Sequence, residues 1–159
     1  SDESRGLGDV YKRQNKKFVI EIIGDKNLEQ FLKSSKEKLK KLSEYFQTIH
    51  QADHQTQLTI KIVSNEEIKS MNKKFKNKNK ITDVLSFPDG DFSGDIAIAD
   101  SYILNRNKKI NEQNFFMLVS HGLHHLFGYH HYDKQSRSNM RFLENTLMKL
   151  LGLKKVHEN

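Results

Sequence analysis

The sequence predicts a single α+β domain in which helices pack around a small mixed sheet of four strands. Three observations predict this fold: four short segments rich in β-branched residues, amphipathic helical segments between and after them, and a length of 159 residues, which fits one domain. Two strands follow each other directly and two helices close the chain, so the predicted order is β-α-β-α-β-β-α-α. The sequence contains no repeat and no linker long enough to divide it.

The first predicted strand covers residues 17–23, where the sequence KFVIEII is rich in β-branched and aromatic side chains. The next element is a predicted helix over residues 27–46. Its leucines and phenylalanines recur at helical spacing, and its lysines lie on the opposite face. This first part of the chain therefore predicts a strand followed by one long amphipathic helix.

The remaining elements begin with a strand at residues 57–63, which alternates apolar and polar side chains. Ser64 and Glu67 form a capping box that starts the next helix. Two further strands and two further helices are predicted over residues 82–87, 95–99, 111–127 and 135–151. Pro88 closes the third strand, and Gly128 suits the end of the first of these two helices.

The composition limits the classes of function. Lys and Arg number 27 against 20 Asp and Glu, which gives a formal net charge of +7 and favours anionic partners such as nucleic acid or membrane headgroups. The absence of cysteine excludes disulfides, thiol catalysis and a zinc-thiolate site. No apolar run approaches the roughly 20 residues of a transmembrane helix, so we expect a soluble, intracellular protein.

The first fourteen residues differ from the rest of the chain. They read SDESRGLGDVYKRQ and show no apolar period, and residues 9–14 resemble the translation of a transposon end used as a sequencing adapter. We therefore expect residues 1–14 to be either a non-native, adapter-derived addition or a disordered native tail. Residues 15–159 are the single domain on which the fold prediction rests.

Five of the eight histidines lie within residues 121–131, HGLHHLFGYHH. His121 and His125 are four positions apart and project from one face of a helix. Gly128 lets the chain turn out of that helix, and His131 then closes a third side of the site. The spacing H-x-x-x-H-x-x-G-x-x-H is that of the metzincin ligands. It predicts a metal site with three imidazole ligands and an open position for water.

Two other histidines in this segment fit the site less well. His124 points about 100° away from His125 around the helix, and His130 lies one residue short of the third ligand. A run of surface histidines, or a metal-binding tract without catalysis, is the alternative interpretation. Gly122 occupies the position where metalloproteases carry their glutamate general base, which argues against a peptidase.

A second feature is a basic cluster. Six lysines and no acidic residue occur over residues 69–80, at positions 69, 73, 74, 76, 78 and 80, with Phe75 among them. Such a cluster attracts phosphate backbones by charge and by counterion release. A solvated helix end in a lysine-rich protein would look the same, but beside a hydrolytic metal site the cluster favours an anionic polymer as substrate.

Two blocks together resemble the YbeY family of bacterial endoribonucleases. The first is MNKKFKNKNKITDVLSFP at residues 71–88, followed by Gly-Asp-Ile at residues 94–96. The second is the histidine segment, which is similar to the family's H-G-x-x-H-L-x-G-Y-x-H. The resemblance extends from about residue 17 to residue 153, and it implies a small layered α+β fold related to the zinc metalloproteinases.

The resemblance also implies a function. His121, His125 and His131 would hold one divalent metal ion, with zinc expected, and the protein would cleave single-stranded RNA. The implied role is maturation of the 3′ end of the small-subunit ribosomal RNA and ribosome quality control. The implied partners are RNA and the small ribosomal subunit in the bacterial cytoplasm, with no membrane partner.

One departure from the family pattern concerns the catalytic residue. The family usually has an arginine in a Y-R-x-K-D stretch, and the corresponding position here holds Lys76. We expect Lys76 to stabilise charge on the phosphate, although lysine lacks the bidentate fork of arginine. The alternative function is therefore a metal-containing ribosome assembly or RNA-binding factor with little or no nuclease activity.

Overall fold

The computed structural model describes residues 18–49 and 56–158. The tail predicted at residues 1–14 lies outside the described residues. In the described part, four strands form one sheet in the order β1-β2-β4-β3. These strands are β1 Phe18–Ile23, β2 Thr56–Val63, β3 Val84–Pro88 and β4 Gly94–Ala99.

The sheet is mixed. Strand β1 runs parallel to β2 and β2 runs parallel to β4, whereas β3 runs antiparallel to β4. The parallel pairs are joined by helical crossovers, which parallel neighbours require, and a short turn joins β3 to β4. The predicted α+β fold with a mixed four-stranded sheet is confirmed.

Five α-helices accompany the sheet in the described part of the chain. One turn of 3-10 helix, Asp100–Tyr102, follows β4. The helices are α1 Lys26–Ser34, α2 Lys36–Ile49, α3 Asn65–Lys76, α4 Glu112–Leu126 and α5 Lys134–Leu150. No helix among these is both long and apolar enough to cross a lipid bilayer.

The prediction of one continuous helix over residues 27–46 is wrong, because α1 and α2 meet at a break at Ser35. Ser35 has φ −107° and ψ 19°, outside the α-helical region. Its amide still bonds to the carbonyls of Phe31 and Leu32, and its own carbonyl accepts from the amide of Leu39. The helical spacing of apolar residues continues across the break, so the sequence pattern does not reveal it.

Strand β4 is buried on both faces and anchors the core. Ile96 and Ile98 face a large apolar cluster that includes α4, whereas Ala97 and Ala99 face a smaller cluster with Ile68 of α3. Helix α4 packs against β3 and β4, and also against α5. The histidine-bearing helix is therefore buried along most of its middle, and its two ends are partly exposed.

Candidate metal centre

The three predicted ligand histidines converge at the C-terminal end of α4. One nitrogen from each of His121, His125 and His131 lies within 4.8 Å of the other two. The rings of His121 and His125 have their centroids 4.6 Å apart on one face of α4, and the ring of His131 lies 5.8 Å and 5.1 Å from them. Gly128 has φ +92°, a conformation that favours glycine, and it turns the chain so that His131 returns to the pair.

Hydrogen bonds fix the orientation of the two helical imidazoles. Nδ1 of His125 lies 3.0 Å from the carbonyl oxygen of Tyr129, and Nδ1 of His121 lies 3.0 Å from Oε2 of Glu144. Because carbonyl and carboxylate oxygens only accept, each histidine carries its proton on Nδ1. In the neutral form of each ring, Nε2 then carries the lone pair that binds a metal ion.

The donor atoms fit a metal ion. The two Nε2 atoms of His121 and His125 lie 3.1 Å apart, close enough for both to bind one cation. Tetrahedral zinc with Zn–N bonds of about 2.0–2.1 Å separates its ligand nitrogens by about 3.3 Å. Burial, and then the nearby His121, lower the pKa of His125, so this imidazole is neutral and ready to coordinate at neutral pH.

Glu144 is the acidic partner of this site. Its side chain is buried on α5, with 3% exposed, and its second oxygen accepts from Nε2 of His157 at 3.2 Å. Burial opposes the charge, but the hydrogen bond from His121 and the nearby histidines outweigh it, so the pKa of Glu144 is lowered. A carboxylate that receives the Nδ1 proton of a ligand histidine fixes its ring and increases its basicity.

Glu144 was not predicted from the sequence, although a signal for it exists. The buried residues of α5 are Met140, Glu144, Leu147 and Met148. A single acidic residue on an otherwise apolar helix stripe is unusual, since a buried carboxylate needs partners. That pattern alone marks Glu144 as a residue with a specific role.

His124 points into the core instead of the site. It is fully buried, its Nδ1 donates to the carbonyl of Ser120 at 2.8 Å, and its Nε2 accepts from the hydroxyl of Tyr45 at 2.8 Å. Burial lowers the pKa of His124 to about 4, so the ring is neutral and bridges α2 and α4. His130 stacks on the ring of Tyr132, with centroids 4.9 Å apart, outside the three-histidine group.

Gly122 lies where α4 touches the sheet. A Cβ atom added to it would lie 3.0 Å from both Cδ1 and Cγ2 of Ile96 on β4. The hydroxyl of Ser86 on β3 donates to the carbonyl of Gly122 at 3.3 Å, which further holds the helix against the sheet. A glutamate at this position would collide with β4, so the general base of metalloproteases has no space here.

An open cleft of about 630 Å³ adjoins the three histidines. Lys76, Lys78 and Lys80, which are exposed, also line this cleft. The buried side chain of Asn72 donates to the carbonyl of Lys80 at 2.9 Å, and the carbonyl of Asn72 accepts from the amide of Lys78 at 3.1 Å. Asn72, which the sequence analysis did not single out, therefore holds the lysine segment beside the cleft.

Lys76 is at the end of α3 and lines this cleft together with His121, His125 and His131. It forms no ion pair with any residue of the described ranges. The predicted catalytic lysine and the predicted ligands thus share one cavity, and the charge of Lys76 is available to an anion that enters it.

Residues 22–152 match the family model described as Endoribonuclease YbeY. The chain belongs to the YbeY endoribonuclease family. The match includes both the lysine segment and the three histidines, so the resemblance predicted from the two sequence blocks is confirmed.

Curated members of the YbeY family are similar over most of their length. Endoribonuclease YbeY of Francisella tularensis subsp. tularensis (strain WY96-3418) is 40% identical, with 65% of this chain and 72% of the relative covered. The protein of the same name from subsp. mediasiatica (strain FSC147) is 39% identical with the same coverage. The solution structure of a Thermotoga maritima protein aligns with a TM-score of 0.56 and 24% identity, covering 84% of this chain and 89% of that chain, which shows a common fold.

Proposed function

We propose that this protein is a metal-dependent endoribonuclease that cleaves single-stranded RNA. The observation that carries the proposal is the convergence of three imidazoles beside a cleft that is also lined by lysines. Neutral imidazoles bind a divalent ion, and unpaired lysines attract a phosphate backbone. The relatives named Endoribonuclease YbeY support the same activity.

The side chains have distinct roles in this proposal. His121, His125 and His131 would hold one divalent ion, and zinc suits a site of three nitrogen ligands with an open position. Such an ion supplies Lewis-acid polarisation of a phosphoryl oxygen and makes a water molecule more acidic. Glu144 keeps the proton of His121 on Nδ1. The Lys76 ammonium stabilises the charge that develops on the phosphate.

We further propose ribosomal RNA as the substrate, at the 3′ end of the small-subunit RNA, with the small ribosomal subunit as partner in the bacterial cytoplasm. Membership of the YbeY family supports this proposal. The catalytic unit is proposed to be one domain over residues 15–159, of which the family match covers residues 22–152.

One observation favours a second candidate, a metal-containing ribosome assembly factor with little nuclease activity. Lys76 stands where the family usually has arginine, and a single ammonium cannot grip a phosphate with two parallel hydrogen bonds. Under this alternative the protein binds metal and RNA but does not cut the RNA at a measurable rate.

Cleavage of fluorescein-labelled single-stranded RNA tests the proposal, with the metal content of each sample measured by mass spectrometry. The metal-loaded chain should cut the RNA, lose activity after chelation and regain it when metal is returned. His121→Ala/His125→Ala should lose both metal and cleavage. His130→Ala is the matched control, because His130 lines the same cleft outside the three-histidine group.

Two results would contradict the proposal in different ways. Cleavage that survives in the metal-free double variant would show that the three histidines are not the catalytic centre. Bound metal and RNA affinity without cleavage by the parent chain would favour the assembly factor.

A further inference from the structure

A second group of cationic side chains lies beside the histidines, on α5. Arg137 and Arg141 are one helical turn apart and line a cavity of about 270 Å³ that also contains His121 and His131. This cavity shares only those two histidines with the lysine-lined cleft. The two ligand histidines therefore stand between a lysine wall on one side and an arginine pair on the other.

The arginine cavity continues along α5 into a larger groove. Arg137 and Arg141 also line this groove of about 960 Å³, together with Lys134, Lys149 and Lys155. We call this continuous surface the α5 groove. Of its two acidic lining residues, Glu158 pairs with Lys155 at 3.3 Å and Glu144 accepts from two histidines, so the groove keeps a positive excess.

Both arginines are exposed and available. Within the described residues, neither forms an ion pair or a side-chain hydrogen bond. The nearby carboxylate of Glu144 already accepts from two histidines, so it does not neutralise them. Two unpaired guanidinium groups on one helix face form a suitable site for phosphate, which accepts two parallel hydrogen bonds from arginine.

An exposed aromatic ring accompanies these charges. Phe142 lines the α5 groove with 70% of its surface exposed. A large exposed phenylalanine next to cationic side chains is the combination that binds single-stranded nucleic acid, because the charges follow the backbone and the ring stacks on an unpaired base. A duplex offers no free base face to such a ring.

We propose that the α5 groove is a second RNA-binding segment, in which Arg137 and Arg141 bind backbone phosphate and Phe142 stacks on a base. This inference rests on the proposed function, since it extends the path of the same RNA. The strand runs from the lysine-lined cleft across the three histidines and continues along α5. The groove thus binds the RNA on the other side of the bond to be cut.

The test compares two double variants that lose the same charge. Arg137→Gln/Arg141→Gln removes the two guanidinium charges on α5. Arg106→Gln/Lys109→Gln removes two exposed charges from the loop before α4, at the end of that helix opposite the histidines. Affinity for a labelled single-stranded RNA of about 20 nucleotides is measured by fluorescence anisotropy on the full, metal-loaded chain, and gels of the same samples report cleavage.

Two lost phosphate contacts on a single strand should reduce the slope of log K against log salt by about 1.4. At about 0.1 M salt this corresponds to roughly 25-fold weaker binding for the arginine variant. The affinity of the control should stay within about twofold of that of the parent.

Phe142→Ala should weaken binding at least about fivefold, whereas Phe142→Tyr should bind like the parent, because tyrosine retains a stacking face. Melting curves check that each variant is folded, and Arg137→Lys/Arg141→Lys, which keeps the charge, should bind more tightly than the glutamine variant.

The possible failures can be told apart. If the parent binds and cuts RNA but the arginine variant binds like the control, the α5 groove is not an RNA site and the nuclease proposal stands. Equal losses of RNA affinity in both double variants would also contradict the proposal for the α5 groove, because such losses would reflect net charge alone. A parent chain that does not bind RNA contradicts the proposed function and this inference with it.

Discussion

The Nδ1 atom of His121 and the Oε2 atom of Glu144 lie 3.0 Å apart, although the residues are 23 positions apart in the chain. The packing of α5 against α4 creates this contact, and the buried carboxylate holds the proton of His121 away from the site. The Nε2 atom then faces that of His125 at 3.1 Å. Glu144 on α5 thus fixes the ring orientation of His121 on α4, the helix that also carries His125.

Replacement of Glu144 by glutamine should weaken metal binding by about 10- to 100-fold. The glutamine keeps the shape of the side chain but removes the negative charge that orients His121 and increases its basicity. Competition with a chromophoric zinc chelator measures the affinity. Glu37→Gln, at an exposed position of α2, is the matched control. Equal affinities in the two variants would show that Glu144 has no influence on the site.

Replacement of Tyr45 by phenylalanine should destabilise the fold without affecting the metal site. Burial raises the pKa of Tyr45 well above its usual value, so the hydroxyl remains a donor to the buried Nε2 of His124. Loss of this donor leaves a buried acceptor unsatisfied, at a cost of about 1–3 kcal/mol. Urea unfolding measures the loss, with Tyr132→Phe as control because Tyr132 is 86% exposed. A parallel loss of metal affinity would contradict this separation of roles.

The convergence of the three histidines was predictable because their spacing is local. The i, i+4 relation of His121 and His125 holds in any helix, and Gly128 followed by His131 needs only a turn. Lys76 and the lysines after it also lie within one helix end and one short segment. Their common cavity with the histidines was expected only through the family resemblance, because it depends on how α3 and α4 pack on opposite faces of the sheet.

The supporting residues were not predictable by the same means. Tyr45 is 79 positions from His124, and no periodicity connects residues on different helices. The break at Ser35 was also missed, since apolar residues keep their helical spacing on both sides of it. Patterns along the chain report which face of an element is buried, but not which residue of another element meets it.

Gly122→Ala should reduce stability even though alanine favours helices by about 1 kcal/mol over glycine. The added methyl group would lie 3.0 Å from two side-chain atoms of Ile96, and such overpacking costs about 1–3 kcal/mol. A double-mutant cycle with Ile96→Ala isolates the contact, because the smaller side chain makes space for the methyl group. The two changes should therefore couple favourably, by about 0.5–3 kcal/mol. Additive losses in urea unfolding would show that α4 does not pack tightly on β4 at this point.

Lys76 should act on the transition state more than on RNA binding. Its side chain lines the same cavity as the three histidines. A charge that meets the phosphate only as negative charge develops there contributes to kcat and leaves KM almost unchanged. Lys76→Gln should therefore lower kcat about tenfold or more. Lys76→Arg should raise kcat above that of the parent, because the guanidinium adds a second parallel hydrogen bond to the phosphate.

Lys69→Gln is the matched control for Lys76, because it removes one exposed charge from the same helix at a position that does not line the cleft. Initial rates over a range of RNA concentrations separate kcat from KM for each variant. A rise in KM with unchanged kcat in Lys76→Gln would assign this lysine to RNA binding alone. Equal kcat values for Lys76→Gln and Lys69→Gln would show that Lys76 does not belong to the catalytic centre. Another group would then have to stabilise the charge on the phosphate. Lys78 and Lys80 are the next cations of the same cleft to test.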